Sequence, residues 1–311
     1  MFRALDRRTG EVRWATRAGP ESIQYFFHGD PLITDDLVVV GADSGGAAGA
    51  KIHAFDRATG RERWSYPVGA GAWGATSGSG PLAFAIKGEK ELLALDVRSG
   101  ALRWSFPVTV WGWLGPTTRD GRVFAGARDG SIHALNAETG RVEWRTDLGT
   151  PISTDVTATA AGLYVGGGNG TMHRVDAKLG SVLASLKVDA KLKPRSVPVL
   201  AGDSLLVLLT DEGEDYRALV SLDAKLARVV WRQDAESRWT TSRVFVSGNT
   251  AVVGTSSGDV IGYCVADGAR AWSRTVKGSV RSIGGSADAL YVTTSEGNLY
   301  ALAPAGACNP R

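Results

Sequence analysis

The chain is 311 residues long, with a formal net charge of +3, 43% hydrophobic residues, 40 glycines and two cysteines. Its apolar share supports a sizeable core and excludes global disorder, and so small a charge gives no electrostatic case for nucleic-acid binding. Cys264 and Cys308 are too few for a disulfide-built scaffold and have no metal-ligand spacing, although one bridge between them is open; no run reaches membrane-spanning length.

The chain opens inside a strand pattern, Phe2-Arg3-Ala4-Leu5-Asp6, which leads through Thr9-Gly10 to Trp14. No basic-then-apolar leader and no lipid-attachment cysteine stands before it, and the expectation is that the natural start lies upstream. The same eleven-residue pattern then recurs. Ala54-Phe55-Asp56 leads to Thr59-Gly60 and Trp64, and Ala94-Leu95-Asp96 to Ser99-Gly100 and Trp104. Ala134-Leu135-Asn136 leads to Thr139-Gly140 and Trp144. Looser copies run from Val175-Asp176 to Gly180, from Leu222-Asp223 to Trp231, and from Tyr263-Cys264 through Gly268 to Trp272; Tyr300 to Ala303 is a last half-copy.

The turn marks Gly10, Gly60, Gly100, Gly140, Gly180, Ala227, Gly268 and Gly306 stand 50, 40, 40, 40, 47, 41 and 38 residues apart. A period near forty with alternating apolar residues fits one four-stranded propeller blade, not a helical solenoid. One copy reads in full. Trp111 to Thr118 is the innermost strand, Asp120-Gly121 a turn, and Arg122 to Ala127 the second strand. Asp129-Gly130 then opens a hairpin to Ser131–Asn136, and the Thr139-Gly140 turn gives the outer strand from Arg141 to Asp147.

Each motif residue has a physical task. Asp or Asn at the strand end accepts hydrogen bonds from turn amides, Gly tolerates positive φ, and Trp packs across a neighbouring blade with a small Ala leaving room for its ring. The pattern weakens where Ala184 takes the Trp place and where Lys225-Leu226-Ala227 lacks Thr and Gly, so docking there should be weaker.

The Ala-Leu-Asp-x-x-Thr-Gly-x-x-x-Trp signature resembles the PQQ-like β-propeller repeat family. That family includes quinoprotein dehydrogenases, the assembly lipoprotein BamB and sensor propellers. The resemblance implies one all-β propeller domain over residues 1–311, with seven or eight four-stranded blades; an eight-blade template with an incomplete first blade is favoured. Quinoprotein dehydrogenases of the family are about twice this length, hold calcium beside the quinone, and many carry an adjacent cysteine pair. Cys264 and Cys308 are not adjacent, and the innermost strands show no Asp, Glu and Asn cluster. PQQ with calcium is therefore disfavoured. The expected protein is a monomeric, non-enzymatic scaffold of the bacterial cell envelope, periplasmic or outer-membrane-associated, binding protein partners through a loop face. The alternative is a sensor propeller for a quinone or another anionic ligand, or a degenerate quinoprotein.

Thirteen residues beyond each turn mark the next innermost strand begins, in the column Ile23, Trp73, Trp113, Ser153, Lys193, Thr240 and Arg281. Tyr25, Phe26, Phe27, His28, Trp111, Arg195, Arg238, Trp239 and Arg243 lie close by. Aromatics gather in one part of this set and cations in the other, which suits stacking platforms and anion-binding guanidinium groups, or equally a plugged channel. His53, His133 and His173 occupy equivalent repeat positions on different blades, too far apart to share a metal, and read as structural. His28 alone stands outside the repeat frame. The acidic run Asp211 to Asp215 lacks EF-hand spacing and reads as a solvated hairpin tip. Cys264, in the place of the motif Asp, is expected as a small buried thiol.

Overall fold

The computed structural model describes residues 1–19, 25–44, 49–69, 71–111, 113–212, 215–240, 243–286, 289–303 and 308. Ile23 and Gly306 lie outside these described residues. Every regular element among them is a β-strand, and no helix among them is long and apolar enough to cross a membrane. The chain forms two compact units, Met1–Gly149 and Thr150–Arg311.

The first unit holds the hairpin Phe2–Leu5/Val12–Thr16 and three antiparallel four-stranded meanders. Their strands are Leu32–Ile33, Leu37–Ala42, Ala50–Asp56 and Glu62–Gly69; then Ser77–Ser79, Leu82–Lys87, Glu91–Asp96 and Leu102–Pro107; then Thr117–Arg119, Arg122–Gly126, Ser131–Asn136 and Val142–Asp147. The hairpin pairs Ala4 with Trp14, in the register that Ala134 and Trp144 show between the third and outer strands of the full copy. Leu37–Ala42 is buried throughout, whereas the outer strands alternate between exposed and half-buried positions. The core therefore sits on the second and third strands, where each fully buried aliphatic side chain contributes roughly 1.5–3 kcal/mol.

The second unit begins with the meander Thr157–Thr159, Gly162–Gly166, Thr171–Val175 and Val182–Lys187. In the next sheet Lys193–Pro194 and Val199–Ala201 both pair with Ser204–Thr210, followed by Tyr216–Asp223 and Val229–Trp239. Phe245–Ser247, Thr250–Gly254, Asp259–Cys264 and Arg270–Thr275 form a third sheet. The last has three strands, Val280–Gly285, Leu290–Thr294 and Leu299–Leu302.

The motif turns are built as their chemistry requires. Asp56 Oδ1 accepts hydrogen bonds from the amides of Ala58 (3.1 Å) and Thr59 (2.9 Å) and from the Thr59 hydroxyl (2.8 Å). Asn136 does the same for Glu138 and Thr139. At Asp6 and Asp96 the guanidinium groups of Arg13 and Arg103, with the turn amides, hold the carboxyls well below the usual range. At Asp176 the amides of Leu179 and Lys178 lower it. Asp223 accepts from Lys225.

Sheets dock through the tryptophans. Trp14, Trp64 and Trp104 each lie over the turn glycine of the following copy, so that a Cβ at Gly60, Gly100 or Gly140 would fall 2.4–2.6 Å from the ring. Each indole also donates to the carbonyl three residues before that glycine: Trp14 to Arg57 (2.9 Å), Trp64 to Val97 (2.8 Å), Trp104 to Ala137 (3.0 Å). Trp231 repeats this on Gly268 and Val265 in the second unit. The expected small partner is the cross-strand neighbour, in the pairs Ala54–Trp64, Ala94–Trp104 and Ala134–Trp144. Gly10 has open space at its Cβ. Trp272 differs, lying over Gly262 in its own sheet.

Two expectations are corrected. The innermost strand of the full copy is Thr117–Arg119 alone, because Trp113 to Pro116 lie outside any strand and the Leu114 amide turns back on the Trp111 carbonyl. Cys264 is not a free thiol: it is bonded to Cys308, with Cα atoms 5.4 Å apart, after the chain returns to the Thr250 side chain.

Candidate functional site

In an antiparallel meander the loops between second and third strands, and those from an outer strand to the next innermost one, share one end of the sheets. The Thr-Gly turns occupy the other. In the first unit that shared loop edge carries His28, Asp43, Trp73, Glu89, Trp111, Trp113 and Arg128. Backbone bonds lace these loops together: Gly88 to the Gly71 carbonyl, Val110 to Glu89 and Arg128 to Thr109.

Asp43 joins two of the expected residues. Its Oδ2 accepts from His28 Nε2 at 2.7 Å and from Trp73 Nε1 at 2.9 Å. The backbone of Phe26 pairs with that of Asp43 in both directions, which places the half-exposed Phe26 ring on His28, centroids 6.3 Å apart and 22° from parallel. Along the same edge the Arg128 guanidinium lies 3.8 Å above the Trp111 ring centroid and 3.8 Å from Glu89. Trp113 presents 60% of its surface to solvent.

The segments bearing these rings run backbone against backbone. A Cβ on Gly29 would stand 2.2 Å from the Gly74 carbonyl oxygen, and one on Gly74 2.4 Å from that of Leu114. Only glycine permits that approach, so the loops after His28 and Trp73 are held as a unit. Asp43 and these glycines escaped sequence reasoning. A glycine following each ring-bearing position, in His28-Gly29 and Trp73-Gly74, was the available signal.

Other expected residues are placed elsewhere. Tyr25 is 8% exposed and Phe27 half-buried, both in a core cluster with Phe2, Val40 and Phe55, because the Phe2 ring reaches Phe27 and Phe55. They are core side chains, not surface platforms. Trp239 is likewise corrected: it is 1% exposed, since its strand runs on to pair with Tyr216 and tucks the indole against Tyr263.

In the second unit Lys193 and Arg195 are half-buried, with Lys193 paired to Thr210, while Arg243 lies exposed beside Val197. Arg281 is exposed at a register shift between Val280 and Ser282. Ser153 is buried and donates to the Pro194 carbonyl. Thr240 donates to Val280, so hydroxyls stitch the innermost segments together. Within the acidic run, Asp211 and Asp215 pair with Arg217 at 2.6 and 3.1 Å and Asp215 with Arg238 at 2.7 Å, while Glu212 is exposed; residues 213 and 214 lie outside the described set.

His53, His133 and His173 sit within their own sheets, hydrogen-bonded to Glu62, Ser131 and Ser185, and burial lowers the pKa of each. Among the described residues no three His, Cys, Asp or Glu side chains gather as a metal-binding group, and both cysteines are consumed in one bridge.

Repeated four-stranded meanders, each joined from outer strand to next innermost strand, define a β-propeller. The chain belongs to the family described as outer membrane protein assembly factor BamB, whose profile matches residues 48–196 and again 169–307. No curated protein matches the sequence. Among solved structures, BamB from Moraxella catarrhalis is similar with a TM-score of 0.75 at 22% identity, over 93% of this chain and 85% of that one. A europium-containing methanol dehydrogenase gives 0.69 at 12% identity, over 96% and 78%. The computationally designed Ika8 protein gives 0.57 at 13%, over 90% and 97%. At such identities the likeness concerns fold alone.

Proposed function

We propose that this chain is a non-enzymatic, monomeric protein-binding scaffold of the bacterial cell envelope, BamB-like in role, that grips partners with the aromatic loop edge of its first unit. One observation carries the reading. Asp43 takes the polar atoms of His28 and Trp73, and Arg128 is engaged by Trp111 and Glu89, so the charged groups beside these rings are already partnered and the exposed Trp113 and Phe26 rings are on offer. Such a surface suits apolar and aromatic side chains of a polypeptide better than a carboxylate-bearing quinone. Family membership supports protein partners and an envelope location. The Cys264–Cys308 bridge adds independent support, since such bonds persist in oxidising compartments. Quinone and calcium have no part in this reading.

The test is photo-crosslinking in cells from position 113, with position 142, an exposed apolar residue on an outer strand, as control. Adducts to another envelope protein from position 113 alone are expected. Equal adducts from both positions, none from either, or a saturable tryptophan-fluorescence change on adding PQQ and calcium would sink the reading in favour of a ligand sensor.

A further inference from the structure

The hairpin joining Thr171–Val175 to Val182–Lys187 departs from its repeat in a way that the fold does not explain. In other copies the residue three places after the strand-end Asp or Asn is Thr59, Ser99 or Thr139, whose hydroxyl donates to that side chain. Seven places after it stand Arg13, Arg63 and Arg103, whose guanidinium groups reach back to the carboxylate. After Asp176 both places hold leucine, and the carboxylate takes the turn amides of Lys178 and Leu179. Leu179 is 77% exposed, more than any other large apolar residue among those described, and Leu183 is 48% exposed. Val182, also exposed, adjoins them. The ladder shifts register there, from Val175 opposite Val182 to Arg174 opposite Ala184, so Leu183 has no cross-strand partner and the usual alternation is lost. The core cluster of this sheet takes Ala184, Leu186 and Val188 from the same strand and none of these three.

The turn after Asp223 adjoins this one, through the Tyr164 bond to Ala224 and the packing of Leu226 with Ala184. Across the two turns and the Asp203 loop bonded to Ala224, the exposed charges are Lys178, Lys225 and Arg228 against Asp203. Asp176 and Asp223 are half-buried and accept from turn amides. The tip thus presents contiguous aliphatic surface with an excess of cations beside it.

We propose that this tip is a contact for an anionic phospholipid surface, with Leu179, Val182 and Leu183 entering the interfacial layer and Lys178, Lys225 and Arg228 meeting lipid phosphates. Two features favour lipid over polypeptide as the occupant. Three aliphatic side chains on a tight turn offer far less than the roughly 800 Å² per partner of a stable protein interface. Shallow insertion, in contrast, needs apolar side chains flanked by cations, and three exposed cations to one carboxylate complement anionic headgroups. The contact involves no residue of the loop edge, and its test is independent of that reading.

The full protein is floated with vesicles of equal parts phosphatidylethanolamine and phosphatidylglycerol at physiological salt. Co-flotation is expected, and much less of it with phosphatidylcholine alone. The double variant Leu179→Thr, Leu183→Arg gives this hairpin the residues of the other copies. It should weaken binding roughly tenfold although it adds a positive charge, and its melting temperature should hold. Lys225→Glu should also weaken binding to the anionic vesicles. Absence of wild-type flotation, binding undiminished in the double variant, or indifference to Lys225→Glu overturns the proposal. So does dimerisation of the free protein that the double variant abolishes, which would mean that a second copy covers the tip. Protein adducts from a photo-crosslinker at position 179 in cells overturn it equally, in favour of a polypeptide partner.

Discussion

The Tyr164 hydroxyl donates a 2.7 Å hydrogen bond to the carbonyl of Ala224. That carbonyl stands three residues before Ala227, in the place where the other copies receive an indole N–H. The copy ending in Val182–Lys187 has Ala184 where a tryptophan is expected, and across the ladder the large residue is Arg174. Tyr164, one strand further in and opposite Arg174, restores the lost bond from another direction. Leu226, 3% exposed and at φ 59°, packs with Tyr164 and Ala184 in the same cluster. The missing tryptophan of one copy and the missing glycine of the next are two halves of one exchanged contact.

Tyr164→Phe keeps the ring and removes only the hydroxyl, leaving the Ala224 carbonyl without that donor. A loss of about 1–2 kcal/mol is expected in chemical denaturation. An unchanged midpoint would show that the hydroxyl does not dock this sheet.

Gly100→Ala and Gly10→Ala separate backbone strain from docking. Both glycines have positive φ, 71° and 74°, but only Gly100 lies beneath a tryptophan. Gly10→Ala should cost about 1 kcal/mol for its conformation, and Gly100→Ala roughly 2–4 kcal/mol once Trp64 is displaced as well. Equal losses would remove the glycine's second role.

Acid should weaken the fold through buried histidine. Burial holds His173 below its ordinary pKa, so the folded state resists a proton that the unfolded chain takes up near about 6.5. Stability is therefore full above that pH and falls as the pH drops through it, by at most about 1.4 kcal/mol per pH unit per histidine. Urea midpoints at about pH 7.5 and about pH 5.5 should differ less in His173→Asn than in the wild type.

Cys308→Ser should destabilise the oxidised protein by about 2–4 kcal/mol, given the 44-residue separation of the bridged cysteines. A reductant should lower the melting temperature of the wild type and leave that of the variant unmoved.

Asp43→Ala should unmoor Trp73 and His28 together. A shift in tryptophan emission and loss of crosslinking from position 113 are expected. Trp113→Ala should change stability by no more than about 0.5 kcal/mol and still reduce partner capture, since its side chain is mostly in solvent.

Much of the fold was legible because the information is local. Alternation and a glycine turn fixed Ser131–Asn136 to the residue and Arg122–Gly126 to within one position. Contacts between copies were not legible. Nothing in the Trp64 motif says that its ring will meet Gly100, since that pairing belongs to how the sheets stack. Of the candidate residues, Trp73, Trp113 and His28 stand on the loop edge proposed as the site, whereas Asp43, which joins two of them, comes from a separate hairpin and carries no motif. Trp239 misled because counting forward from the turn assumes an outer strand of ordinary length, and Val229–Trp239 runs for eleven residues.

The indole-on-glycine contact bears on how such a chain can change over generations. Since donor and receiver sit on successive copies, duplicating any copy brings a matched half to each new neighbour, and the array can lengthen without redesign. Loss follows a different rule. A copy without the tryptophan no longer requires the glycine ahead of it, and Ala184 and Ala227 are such a pair. In this chain the junction between copies, rather than the copy itself, is the unit on which the contact depends.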